Sequence, residues 1–164
     1  MLRFCAGAAL VLGLLLGAAA PLAAAEPLTI ISPIEYKEGI PVRDAVKAEC
    51  AMLERVPGYV ADFAKEKGKV TLSAEPAASG RTLRVVIEEI RESGTVGPKS
   101  VTVNGVLSEG GKTIGTVTVR RSSMGGPLAA FGGACGILHR CAKAIGKDIA
   151  GWLEKPTMDA ELLN

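Results

Sequence analysis

The chain has 164 residues, with 19 lysines and arginines against 17 aspartates and glutamates, so its formal net charge is only +2. This balance argues against strong electrostatic attraction to nucleic acid or to anionic membranes. The length suits one domain with its own hydrophobic core. We therefore expect no nucleic-acid partner, and charge does not define the class of partner further.

Residues 1–25 follow the plan of a secretory signal peptide. Arg3 supplies a short basic start, an apolar run follows it, and small alanines end the segment. The pattern predicts cleavage between Ala25 and Glu26. A retained membrane anchor is the alternative, but the leucine-rich centre is short for a span and no stop-transfer pattern follows. We expect a periplasmic or secreted protein with no membrane span after cleavage.

The residues after the signal peptide predict a single α+β domain over 26–155 and a C-terminal tail over 156–164. The stretch LTIISPI from Leu28 is typical of a first strand. From Val42 onward apolar residues recur at helical spacing, and Cys50 lies at the edge of the apolar face. Pro57 interrupts this pattern, so we expect the helix to bend or restart there. The tail is expected to be frayed or to form one extra turn.

Four further strands are predicted in the middle of the chain, beginning near Lys69, Arg81, Lys99 and Lys112, where β-branched residues alternate or run together. The link SEGGK predicts a tight hairpin between the last two strands. In RTLRVVIEEI, apolar and charged residues fall on opposite faces, which predicts a sheet with one covered side.

A second long helix is predicted between Pro127 and Pro156, because apolar residues form one arc and charged residues the opposite stripe. The predicted order is β-α-β-β-β-β-α, with one mostly antiparallel sheet and two helices packed on one face. With the first crossover parallel, the two helices should run antiparallel to each other. Small residues at the start of the second helix predict close packing of a neighbouring backbone there: Ala129, Gly132, Gly133 and Gly136.

The same helix holds two cysteines and the only histidine of the chain, Cys135, His139 and Cys141. A haem attachment needs the histidine directly after the second cysteine, and a zinc site needs three or four converging ligands. Neither pattern is met, so we expect no metal, no cofactor and no catalytic residue. Six residues of helix rise about 9 Å, too far for a disulfide between the two cysteines.

Three cysteines remain outside the signal peptide, enough for one disulfide and one thiol in an oxidising compartment. Cys50 can pair with either cysteine of the second helix, and spacing alone does not choose between them. Antiparallel helices would bring Cys50 closer to the later cysteine. We therefore predict the pair Cys50–Cys141, with Cys50–Cys135 as the alternative.

Three features resemble small uncharacterised exported proteins of the Gram-negative periplasm. They are the cysteine of VKAEC, the glycine-rich entry MGGPLAAFGGACG, and a cysteine followed by Asp-Ile and Trp-Leu in the last helix. The element order is also similar to strand-helix-sheet-helix domains of outer-membrane-associated assembly proteins. The resemblance implies no catalytic residue.

These observations favour a non-enzymatic exported domain that binds, or is a structural component of, the cell envelope, with another envelope protein as partner. Two alternatives stay open. A thiol-dependent redox enzyme would use the unpaired cysteine beside His139, and it predicts rapid alkylation of Cys135. A homodimer would instead be linked by a disulfide through the odd cysteine.

Overall fold

The computed structural model describes residues 26–92, 97–124 and 133–164. The predicted signal peptide, with Ala25 at its cleavage site, lies outside these ranges. The predicted helix entry at Pro127 and the small residues Ala129 and Gly132 also lie outside them. No helix of the described ranges is long and apolar enough to cross a membrane.

The described residues form one mixed sheet of seven strands and three helices, which confirms the α+β class. In chain order the elements are β1 (Leu28–Ile31), β2 (Glu35–Tyr36), α1 (Asp44–Glu49), α2 (Met52–Ala64), β3 (Val70–Ser73), β4 (Arg81–Glu92), β5 (Lys99–Glu109), β6 (Lys112–Ser123), α3 (Gly133–Trp152) and β7 (Ala160–Leu163).

The strands lie in the order β3-β1-β4-β5-β6-β7, and β2 pairs with β4 beyond the end of β1. Strands β4, β5 and β6 form long antiparallel ladders. The pairings of β1 with β3 and β4, of β2 with β4, and of β6 with β7 are parallel. Gly110 and Gly111 both have positive φ in the two-residue turn between β5 and β6, which confirms the predicted hairpin.

The two long helices run parallel to each other, and the predicted antiparallel arrangement is wrong. Tyr59 of α2 packs against Gly146 of α3, and just past the C-terminal ends of the two helices, eight residues further along each chain segment, Lys67 pairs with Glu154 at 3.1 Å. The cause lies in β4, which runs parallel to β1 and β3 instead of reversing after β3. Helices α1 and α2 lead from β1 and β2 into the parallel strand β3, as predicted. Because β4 does not reverse, β6 also runs parallel to β1, and α3, which follows β6, therefore has the same direction as α2.

The C-terminal residues form strand β7, so the prediction of a frayed tail or an extra turn is wrong. β7 lies parallel to β6 at the edge of the sheet. Thr116 of β6 binds the residues just before β7. Its backbone N–H donates to the Thr157 carbonyl at 3.1 Å, and its hydroxyl oxygen accepts the Asp159 N–H at 2.6 Å. The edge of β6 therefore organises a segment too short to show a strand pattern by itself.

The first helical region has two segments, as expected, but the break falls at Ala51 and not at Pro57. Ala51 has a φ of 46° and separates α1 from α2. Pro57 lies inside α2, where it cannot donate a backbone hydrogen bond to the Leu53 carbonyl. That carbonyl accepts the Ile34 N–H at 3.0 Å instead. The loop after β1 thus supplies the donor that Pro57 lacks, and α2 continues.

In the described part of the chain, a hydrophobic core lies between the sheet and the helices. On β4 the buried residues are Leu83, Val85 and Ile87, while Arg84 is exposed, which confirms the predicted covered side. A bulge after Ile87 shifts the alternation, so that Ile90 is also buried. The bulge keeps the distal half of β4 in contact with the core.

Close approach of the helices occurs at Gly146, in the middle of α3. A Cβ atom there would lie 2.6 Å from the Tyr59 Cβ and 2.9 Å from the Val60 backbone nitrogen. At Gly133 and Gly136 a Cβ atom would meet nothing within 4 Å. The close packing predicted for the start of the helix is therefore wrong at these two glycines.

Candidate functional site

The disulfide joins Cys50 to Cys135, with 5.0 Å between their Cα atoms. The preferred prediction, Cys50–Cys141, is wrong, and the alternative pairing is the one found. Parallel α2 and α3 place the segment before α2 beside the first turn of α3, where Cys135 lies. Cys141 is six residues further along α3, and its sulfur faces the Lys99 carbonyl of β5 instead.

His139, one helical turn after Cys135 on α3, also contacts Cys50. Its Nε2 atom lies 2.8 Å from the Cys50 carbonyl oxygen, and because a carbonyl only accepts, Nε2 carries the donated proton. Cys50 is the C-cap of α1, where the last carbonyls lack partners within the helix. The side chain of His139 therefore caps α1 from a second helix.

Cys141 is a free, buried thiol. Its sulfur donates to the carbonyl of Lys99, itself a fully buried lysine, at 3.7 Å. Burial raises the pKa of the Cys141 thiol, and the nearby Arg140 only partly opposes this. Cys135, on which the redox-enzyme alternative depended, carries no free thiol, and Cys141 cannot reach a second chain while α3 packs on β5. Among the described residues, neither alternative finds the accessible thiol that it predicted.

A cavity of about 320 Å³ opens where β1, β3 and β4 begin. Besides apolar side chains such as Leu28 and Val70, its lining holds three cations and two acids: Lys67, Lys69, Arg81, Glu26 and Glu154. The Arg81 Nη1 atom donates to the Leu153 carbonyl at 3.3 Å. Because Lys67 is paired with Glu154, Lys69 and Arg81 are the lining cations left to hold an anion, and the Glu26 carboxylate opposes such binding. Within the described ranges no three His, Cys, Asp or Glu side chains cluster closely enough to hold a metal ion.

Both outer strands of the sheet carry exposed apolar side chains. Leu72 on β3 is 46% exposed. At the opposite edge of the sheet Leu163 of β7 is 55% exposed, and Met158, which precedes β7, is 54% exposed. A groove of about 460 Å³ lies between α2 and β3, bordered by Ala61 and Leu72. Outer strands present unpaired backbone groups, and exposed apolar residues on them favour pairing with another chain. We name residues 65–73 the β3 edge and residues 158–163 the β7 edge.

The two edges have opposite charge. Residues 65–69 of the β3 edge read KEKGK and are all exposed, giving three lysines and one glutamate. Lys65 and Lys67 form ion pairs with Asp62 and Glu154, at 2.6 and 3.1 Å. The β7 edge reads MDAELL, with two exposed acids and no base. Among the described residues, Lys69 is the lysine of the β3 edge outside these ion pairs, and it gives this edge a charge complementary to that of the acidic β7 edge.

The fold and these surfaces define an α+β domain in which a disulfide and a histidine brace parallel helices on one face of an open-edged sheet. No protein-family model and no curated protein matches the chain. Among solved structures it is similar to the PelC dodecamer from Paraburkholderia phytofirmans, at 18% identity over 74% of this chain and 89% of that one, with a TM-score of 0.43.

Two further similar structures are protein XCC0632 from Xanthomonas campestris, described as DUF330, and a minor lipoprotein from Acinetobacter baumannii. The first is 11% identical over 82% of this chain and 88% of that one, with a TM-score of 0.47. The second is 10% identical over 77% and 91%, with a TM-score of 0.43. No residue's role is carried over from these proteins.

Proposed function

We propose that this chain is an exported, non-enzymatic domain of the cell envelope that binds another polypeptide through the edges of its sheet. The observation that carries this proposal is the exposure of Leu72 and Leu163 on the two outermost strands. An added strand would bond the unpaired backbone groups and cover these side chains, which is a common mode of peptide and protein recognition.

The Cys50–Cys135 disulfide supports an envelope location. Disulfides form and persist in oxidising compartments such as the periplasm and are rare in the reducing cytosol. The signal-peptide pattern of residues 1–25 points to the same compartment. The disulfide, which depends on the fold, and the signal-peptide pattern, which depends on the sequence alone, thus support export independently.

Photo-crosslinking in the producing cell tests the edges directly. A photoreactive amino acid is placed at Leu72 in one variant and at Leu163 in another. The matched control carries it at Lys143, which is exposed on α3, a helix that packs on the inner strands β5 and β6. After irradiation, the adducts are separated by mass and identified by peptide mass spectrometry.

We expect discrete adducts of defined mass from at least one edge position and none from Lys143. The same diffuse pattern from all three positions, or no adduct at either edge, would overturn the proposal. Cell fractionation of the same samples, with alkylation before reduction, checks the compartment. A chain found in the cytosol with Cys50 alkylated would contradict export.

A further inference from the structure

We infer that the polypeptide bound at these edges is a second copy of this chain, an inference that rests on the proposed function. The β7 edge of one copy adds beside the β3 edge of the next, as a parallel strand. Four independent features agree on this arrangement: strand direction, the orientation of the backbone groups, the side-chain faces and the charge.

The two edge strands have the same direction, which determines how a second copy can add. Strands β1, β3 and β4 are parallel, and β5 is antiparallel to both β4 and β6. Because β7 is parallel to β6, strands β3 and β7 have the same direction. Rotation of a second copy about an axis along the strands therefore places its β3 parallel to the first copy's β7. Such a head-to-tail contact repeats until a ring closes or a filament grows.

The backbone of β3 has free groups at alternate residues. The Leu28 and Ser32 N–H groups donate to the carbonyls of Lys69 and Ser73, at 3.0 and 2.9 Å. These residues thus face β1. Because orientation alternates along a strand, the N–H and C=O groups of Val70 and Leu72 point away from the sheet.

The backbone of β7 also has free groups at alternate residues. The Thr116 N–H donates to the Thr157 carbonyl, so the backbone of Thr116 and, by alternation, of Thr118 faces β7. Thr118 is the register partner of Glu161, and in a parallel ladder the residue opposite a bonded one faces away. Glu161 therefore directs its N–H towards the Val70 carbonyl of the next copy and its carbonyl towards the Leu72 N–H.

This register also matches the side chains. It sets Ala160 beside Val70 and Leu162 beside Leu72. Three of these four residues pack on the core and are half-buried on the helix-covered face: Val70, Ala160 and Leu162. Leu72 follows Val70 by two residues and lies on the same face, bordering the groove along α2. Leu162 of the neighbouring copy would then cover Leu72.

Charge favours the parallel arrangement as well. In this register Asp159 stands beside Lys69 of the next copy, so the acidic β7 edge meets the basic one. An antiparallel arrangement that kept Glu161 opposite Thr71 would place Asp159 opposite Ser73 and bring it towards Glu75. Like charges on neighbouring strands are destabilising. Both acids of the β7 edge are exposed and so available to a neighbour.

Two single-edge variants test the contact. Leu72→Pro removes the outward N–H of β3, and Glu161→Pro removes that of β7, while each leaves the ladder within its own chain intact. We expect the exported chain to assemble into several copies at micromolar concentration, as measured by light scattering and native mass spectrometry. Loss of one hydrogen bond should weaken each variant's self-association about tenfold or more.

The decisive sample is the equimolar mixture. The Leu72→Pro chain keeps an intact β7 edge and the Glu161→Pro chain an intact β3 edge, so at concentrations where neither variant assembles alone the mixture should form a one-to-one dimer that does not grow. Circular dichroism and an intact disulfide check that both variants fold. Should a proline variant fail to fold, Lys69→Glu replaces it, with Lys143→Glu as the control of equal charge change. Only Lys69→Glu should weaken assembly, about tenfold.

The outcomes separate this inference from the proposed function. A chain that stays monomeric, single-edge variants that assemble as tightly as the unchanged chain, or a mixture without the dimer would overturn the inference. In the crosslinking experiment, edge adducts of twice the chain's mass support it. Edge adducts with other proteins alone would overturn it while leaving the proposed function standing, and the absence of edge adducts would overturn both.

Discussion

The Nε2 atom of His139 donates a hydrogen bond to the Cys50 carbonyl at 2.8 Å, one helical turn after Cys135, whose sulfur is bonded to the same residue. Two side chains of α3 thus hold both the sulfur and the carbonyl of one residue at the junction of α1 and α2. Cys50 itself is fully buried. This double attachment fixes where the first helical region meets α3, and it has measurable consequences.

Removal of the disulfide should destabilise the domain strongly. The bridge closes a sequence separation of 85 residues, and in the chain-entropy model a loop of this size is worth about 4 to 5 kcal/mol. We expect Cys50→Ala with Cys135→Ala to lower the free energy of unfolding in urea by about that amount. Reduction of the native chain should give a similar loss, and a change below about 1 kcal/mol would contradict the bracing role.

Removal of the histidine cap should have a smaller effect. His139→Ala leaves the Cys50 carbonyl without this donor, and a buried polar group left unpaired costs about 1 to 3 kcal/mol. We expect a loss of stability in that range, measured by urea unfolding with the disulfide intact. Lys143→Ala, an exposed change on the same helix, should stay within about 0.5 kcal/mol. Equal effects of the two substitutions would contradict the capping role.

Gly146 should not tolerate a methyl group. In Gly146→Ala the new Cβ would lie under 3 Å from Tyr59 and the Val60 nitrogen, and such overpacking costs about 1 to 3 kcal/mol. The gain in helix propensity, about 1 kcal/mol, offsets only part of this. Gly136→Ala meets nothing within 4 Å and should be neutral or stabilising. Thermal unfolding of the two variants gives the comparison, and a stabilised Gly146→Ala would show that the helices can separate freely.

The buried thiol of Cys141 should make stability depend on alkaline pH. Burial raises its pKa in the folded state, so above about pH 8.5, the ordinary thiol pKa, the unfolded chain loses the proton first. Its contribution is therefore complete below that pH and is lost as pH rises towards the folded pKa. Stability should fall more steeply between about pH 8 and 10 in the native chain than in Cys141→Ala. Identical slopes would indicate that the thiol is not desolvated.

Several parts of the fold follow from local sequence alone. Period-two alternation around Leu83 and Val85 determines the covered side of β4, because successive side chains on a strand point to opposite faces. The glycine pair at 110–111 determines the hairpin, since both residues must adopt positive φ. The rise of a helix excludes a bridge between Cys135 and Cys141. Each of these depends only on neighbours along the chain.

Strand order and direction were decided by the tertiary structure, and the disulfide depends on them. A seven-residue connection between β3 and β4 can reverse the chain or carry it back to the same end of the sheet, and the residues of the loop are compatible with both. Because β4 returns parallel to β1, α3 lies parallel to α2 and Cys135 meets Cys50. The proximity of Cys135 and His139 to Cys50 is likewise a property of two packed helices.

The chain's own sequence therefore determined which residues could be buried, turned or oxidised, because these depend on side-chain chemistry and local periodicity. Only the tertiary structure decided which cysteine is bridged, that the last residues form β7, and that Leu72 and Leu163 stand at opposite open edges. Those outcomes depend on contacts between segments far apart in sequence, where the free energies of competing strand orders differ through packing and not through local pattern.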